Sequence, residues 1–214
     1  MSGLPDRLQQ LEGTPVRPLA SPAWRAMLTL PVGLAGFLGI PLYFGVRHDI
    51  RWLRPFLLAG LSSVEFVLAW ILVLSVFREA VPGRALSLRT IGWLLVAVCV
   101  TVLAITLGTA QVSSLNPPRF AASRVFMICL FYPIAIGFPL LLAVLIGAFR
   151  AFPLRPGLVG SLAGLAAGLS VDAGWRLYCH FGDPAHVFST HVFAIACLMA
   201  FGALAAVTWS KVSA

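Results

Sequence analysis

Charged side chains are scarce in this chain. Only 10% of its 214 residues are Asp, Glu, Lys or Arg, while 60% are hydrophobic. A soluble domain carries about a quarter charged residues, and a water-soluble core of this length could not hide so much apolar surface. The bilayer is therefore the expected solvent for most of the chain. Enzyme signatures are missing too. There is no Gly-rich phosphate loop, no HExxH, no GxSxG and no CxxC. No loop between apolar runs exceeds about twenty residues, too short to hide a catalytic domain of ordinary size. A non-enzyme is expected. A cleavable leader is not recognisable either. The first 25 residues are mixed in charge and contain proline, with no small-x-small site after the apolar stretch, so the first span is expected to be retained.

What is present is a series of six apolar runs, near 26–45, 55–77, 91–110, 125–149, 157–177 and 188–209. Each is long enough to cross a hydrocarbon core of roughly 30 Å as a helix. Helices are expected because unpaired backbone groups cannot face lipid and the runs lack the alternation of a barrel strand. The expected fold is an all-α integral membrane protein, a six-helix transmembrane bundle over 26–209. It carries an N-terminal tail, 1–25, and a short C-terminal tail, 210–214. Pro31, Pro41, Pro133 and Pro139 fall inside spans and predict kinks or early ends.

Lys and Arg positions set the orientation. With both termini cytoplasmic, the inner segments carry Arg7, Arg17, Arg25, Arg78, Arg84, Arg89, Arg150, Arg155 and Lys211. The outer loops carry Arg47, Arg51, Arg54, Arg119, Arg124 and Arg176. The inner excess agrees with the positive-inside rule. The net charge of +8 is spread over both faces, a pattern of interface anchoring without a nucleic-acid patch.

The tail places Leu4, Leu8 and Leu11 on one face of a short helix, followed by an extended stretch around Pro15 and Pro18 with Val16 and Leu19. So short a helix is not stable alone in water. It either lies on the headgroups or binds a groove on a soluble partner.

Within the spans, Glu65 stands near the centre of the second. Placing an acid there costs about 2.5–3.5 kcal/mol on insertion scales. One reading is a coupling residue in a small transporter or permease-like protein. The other is a protonated Glu hydrogen-bonded to a neighbouring helix, favoured by the lack of a second central acid. Asp172 and Arg176 have the (i, i+4) order of a helix ion pair. Gly160, Gly164 and Gly168 repeat every four residues, a small-residue stripe for close packing within a bundle or at a dimer seam.

The stretch Trp175–His191, WRLYCHFGDPAHVFSTH, is unusual for its polar, metal-capable side chains beside a membrane. Cys179, His180, Asp183, His186 and His191 form a candidate metal group, and thiolate with imidazole suits soft ions such as zinc, copper or cadmium. Their spacing matches no zinc-finger pattern. Asp183-Pro184 reads more simply as a turn and N-cap for the sixth span. His186 and His191, five apart, are not expected to share one face of an α-helix. Cys99 and Cys197 lie inside spans and read as apolar fillers. Cys129 and Cys179 both fall near the outer face. A disulfide between them is allowed in an oxidising compartment if their Cα atoms come within about 7 Å.

Three segments in order resemble one family. They are LPDRLQQLEGTPVRPLASPAWRA, RHDIRWLRPFLLAG followed by VPGR, and the Cys129 span with GSLAGLAAGLS and YCHFGDPAHVFSTH. Together they are similar to the NrsF-type membrane anti-sigma factors. The resemblance implies a six-span protein of the bacterial inner membrane. It would sequester an extracytoplasmic-function sigma factor and release it under oxidising or heavy-metal stress. Cys129 and Cys179 match the family's periplasmic cysteine pair by context. The N-terminal segment, with Leu4, Leu8, Leu11, Val16 and Leu19, would be the sigma-binding element. No resident cofactor is implied, only transient capture of a heavy-metal ion at the cysteines. A membrane redox enzyme passing electrons to a quinone would use close cysteine pairs in its loops, and this chain has none.

Overall fold

The computed structural model describes residues 20–47, 55–113 and 123–212. The residues Leu4, Leu8, Leu11, Val16 and Leu19 lie outside the described residues. The described chain is all helical. We number its helices α1 Pro22–Phe44, α2 Pro55–Glu79, α3 Leu88–Ser113, α4 Ser123–Phe149, α5 Pro156–Tyr178 and α6 Pro184–Val212. All six are long and apolar enough to cross a membrane.

The ends of the helices follow from local chemistry. Ser21 caps α1 by accepting the Trp24 amide at 3.2 Å, and Pro22 follows with its φ already set for a helix. Asp183 caps α6 in the same way, accepting from the His186 amide at 3.1 Å ahead of Pro184. Hydropathy alone starts the sixth span near 188. The cap extends it back to Pro184, with a π-helical turn at Phe188–Val192 inside it. The interior prolines do not end their helices: α1 runs through Pro31 and Pro41, and α4 through Pro133 and Pro139.

Helix α5 is the centre of the bundle. From Val159 to Arg176 nearly every residue is buried, and α1, α2, α4 and α6 all pack against it. Its glycines explain how. A Cβ on Gly160 would strike the Gly202 carbonyl of α6. One on Gly164 would strike the Leu198 carbonyl, and one on Gly168 would press on Ile195 at 3.0 Å. The stripe thus lets two helices of the same chain meet backbone to backbone. On another side, Gly174 lies against the Phe37 carbonyl of α1. A core of Leu72, Val76, Phe77, Val144, Leu162 and Leu169 fills the half of the bundle nearer the N-terminal end of α5. A second cluster at the other end gathers Ile40, Cys129, Val171, Trp175 and Cys179. The candidate site is built on this second cluster.

Candidate functional site

Cys129 lies on α4, about two turns from its start, and Cys179 is the C-cap residue of α5. The two free thiols meet at 3.8 Å between Sγ atoms, and both are buried. Packing fixes this approach. Trp175, fully buried one turn before Cys179, sits edge-on to Phe44 of α1 at 5.7 Å and beside Tyr132 of α4 at 6.1 Å. Arg47 ties the end of α1 to the same segment. Its amide donates to the Leu177 carbonyl at 3.0 Å and its Nη2 to the His180 carbonyl at 3.1 Å.

His186 completes a three-donor group. Its Nε2 is 3.6 Å from Cys179 Sγ, and ligand atoms of Cys129, Cys179 and His186 all lie within 4.8 Å of one another. Two sulfurs and one imidazole nitrogen are a donor set suited to a soft ion. Of the other residues singled out in the stretch, His180 is exposed with its ring tilted against Phe181, and Asp183 serves as the N-cap. Neither belongs to this group. The hydrogen bond with Cys129, followed by burial, pushes the Cys179 thiol above its ordinary pKa.

His191 lies beside the group and faces inward. The π-helical turn places it one wide turn after His186, so the two rings meet at 5.6 Å, edge to face. The expectation that residues five apart would not share a face assumed a regular α-helix. The π turn, with its i to i+5 bonding, reverses it. His191 Nδ1 pairs with Asp172 Oδ1 at 2.5 Å. Asp172 Oδ2 accepts from Arg176 Nε at 2.9 Å, and the same Nε lies 4.0 Å from Glu65 Oε2 on α2. All four side chains are buried. A cavity of about 10 Å³, lined by Arg47, Thr109, Arg176, Cys179, Phe181 and His191, lies between this ion network and Cys179.

A model of the NrsF family, described as negative regulator of sigma F, matches residues 12–211. The chain belongs to the NrsF family. No curated protein and no solved structure matches it. Membership makes this NrsF protein a negative regulator of a sigma factor, and its six apolar helices make it multi-pass.

Sequence reasoning missed the network around Glu65. It paired Asp172 with Arg176 and left Glu65 alone, because it looked for a second acid at the same depth. In the NrsF fold a long guanidinium near the end of α5 bridges that depth. The usable signal was Arg176 itself, a cation on a helix too apolar to leave it unpaired.

Proposed function

We propose that this NrsF protein sequesters an extracytoplasmic-function sigma factor at the bacterial inner membrane, with both termini cytoplasmic. In this reading Cys129 and Cys179 sense periplasmic oxidant or heavy-metal stress and trigger release. The observation that carries the reading is the buried contact of the two thiols at 3.8 Å, with His186 Nε2 beside them. Free thiols this close can close to a disulfide of about 2.05 Å with a small local shift. In doing so they lose two protons and two electrons to an oxidant such as a peroxide. The same atoms can give up protons to hold a soft metal ion.

Either event moves the C-terminal end of α5 against α4. Because α5 packs on four neighbours through buried contacts, the shift cannot stay local. The stimulus acts by favouring one of two packings, and only to the extent that it prefers that one. At the cytoplasmic end the tail, with Leu4, Leu8, Leu11, Val16 and Leu19, contributes the contacts that hold the sigma factor. The test is the Cys129→Ser, Cys179→Ser double variant in cells. It should hold the sigma factor yet fail to release it under cadmium or peroxide. Normal release by that variant would end the sensor assignment. Removal of residues 1–20 should abolish co-purification of the sigma factor.

A further inference from the structure

The end of the bundle away from the cysteines carries two short connections that are locked together. Glu79, at the end of α2, is buried. Its Oε2 accepts the Leu86 amide at 2.7 Å, and its Oε1 accepts Arg155 Nε at 2.6 Å. Arg155 Nη2 also donates to the Leu86 carbonyl at 3.1 Å. The connection 80–87 is thus clamped to the connection 150–155. A buried carboxylate with all its partners in place holds one geometry and resists others.

The clamp presents apolar side chains outward. Phe152 and Leu154 are each 77% exposed. Phe152 has a φ of 54°, in the left-handed region that bulky residues avoid. The conformation closes α4: the Phe152 amide donates to the Phe149 carbonyl at 3.3 Å, the left-handed turn that commonly ends a helix, and it fixes where the ring emerges. Exposed Arg78, Arg84, Arg89 and Arg150 lie on the same two connections or on the helix turns that flank them. Among the described residues Glu79, buried in the clamp, is the only acid at this end. The N-terminal segment also arrives here. Arg25 Nε donates to the Ala20 carbonyl at 3.1 Å, and its Nη1 to the Gly147 carbonyl of α4 at 3.2 Å.

We propose that Phe152 and Leu154, with these arginines, form a docking platform on the membrane domain for an apolar and acidic surface of the sigma factor. The proposal rests on the anti-sigma reading and adds to the tail a second, rigid contact surface. Aromatic and arginine side chains are the types enriched in protein interfaces. Charge complementarity specifies an acidic rim on the partner. Anchoring in headgroups would need apolar side chains at this depth but no buried clamp to fix their geometry, because lipid adapts to any geometry. Continuity with the tail lets one partner span both surfaces.

The test uses the full chain in its own cells, with the photoreactive residue p-benzoylphenylalanine at position 152 or, as a lipid-facing control, at position 103. Illumination should yield a sigma-factor adduct, identified by mass spectrometry, from position 152 and none from position 103. A second arm uses Phe152→Gly, which removes the side chain and relieves the positive φ, so that the fold is not endangered. Combined with Leu154→Ser, it should lower co-purified sigma factor at least tenfold at equal membrane level. Lipid adducts alone at position 152, or unchanged co-purification by the double variant, would overturn the platform while leaving the anti-sigma reading intact. If the wild-type chain holds no sigma factor at all, the anti-sigma reading fails first.

Discussion

Arg155 and Cys179 cap opposite ends of one unbroken helix, α5. At about 1.5 Å of rise per residue they stand roughly 35 Å apart. One ties the two connections at the end bearing Phe152, and the other meets Cys129 at the far end. A displacement at the thiols therefore has a stiff, buried element along which to travel, with a polar clamp at its end.

The clamp can be broken without touching the cysteines. Glu79→Ala strands the Leu86 amide and frees Arg155, whose half-exposed side chain can turn to water. A loss of about 1–3 kcal/mol is expected, read as a lower unfolding temperature in detergent. In cells the same variant should raise sigma-dependent transcription in the absence of any stimulus. Repression at the wild-type level would argue against the clamp as the output end.

The ion network separates structural from transport roles. Asp172→Ala leaves Arg176 and His191 buried without their shared acid and should destabilise the protein by about 3–5 kcal/mol. Glu65→Gln keeps shape and hydrogen-bonding capacity and should be far milder. It should leave sigma control intact. Reconstituted vesicles in which wild-type protein moves a solute and Glu65→Gln does not would favour the transporter reading.

The helix seam gives a sharp contrast between glycines. Gly164→Ala places a methyl group into the Leu198 backbone and should lower stability by about 1–3 kcal/mol. Gly39→Ala, whose added carbon meets nothing within 4 Å, should be neutral or stabilise by about 0.5–1 kcal/mol. Thermal unfolding of the two variants side by side makes the comparison. Equal effects would contradict the backbone-to-backbone contact.

Metal capture by two thiols and an imidazole must displace protons. Cys179 is held protonated to higher pH than an ordinary thiol by its bond to Cys129 and by burial. Affinity for cadmium should therefore rise with pH, by about tenfold per pH unit for each proton displaced. The thiolate-to-cadmium absorption of purified protein reads this directly. His186→Ala should weaken binding while Asp183→Asn, outside the donor group, should not. Equal affinity at pH 6 and pH 8 would exclude thiolate ligation.

The helices were legible because run length and polarity alone force them. The N-cap at Asp183 was legible for the same local reason. The pairing of Cys129 with Cys179 was implied by the family resemblance, while the residues alone only allowed it, since their contact depends on how α4 leans on α5 around Trp175. The pairing of His186 with His191 was hidden by a π turn that no regular period anticipates. Glu65 meets Arg176 through the reach of that side chain rather than through a second acid at its own depth.

Both cysteines expose less than a twentieth of their surface, 3% for Cys129 and 4% for Cys179. The adjoining cavity, about 10 Å³, has room for little more than one water-sized molecule. Burial of this degree is a size filter. In the proposed sensor it would favour a bare ion or a molecule as small as peroxide over a peptide thiol or a bulky alkylating reagent. Such burial would also insulate the sensor from the thiol-disulfide exchange that runs on exposed cysteines.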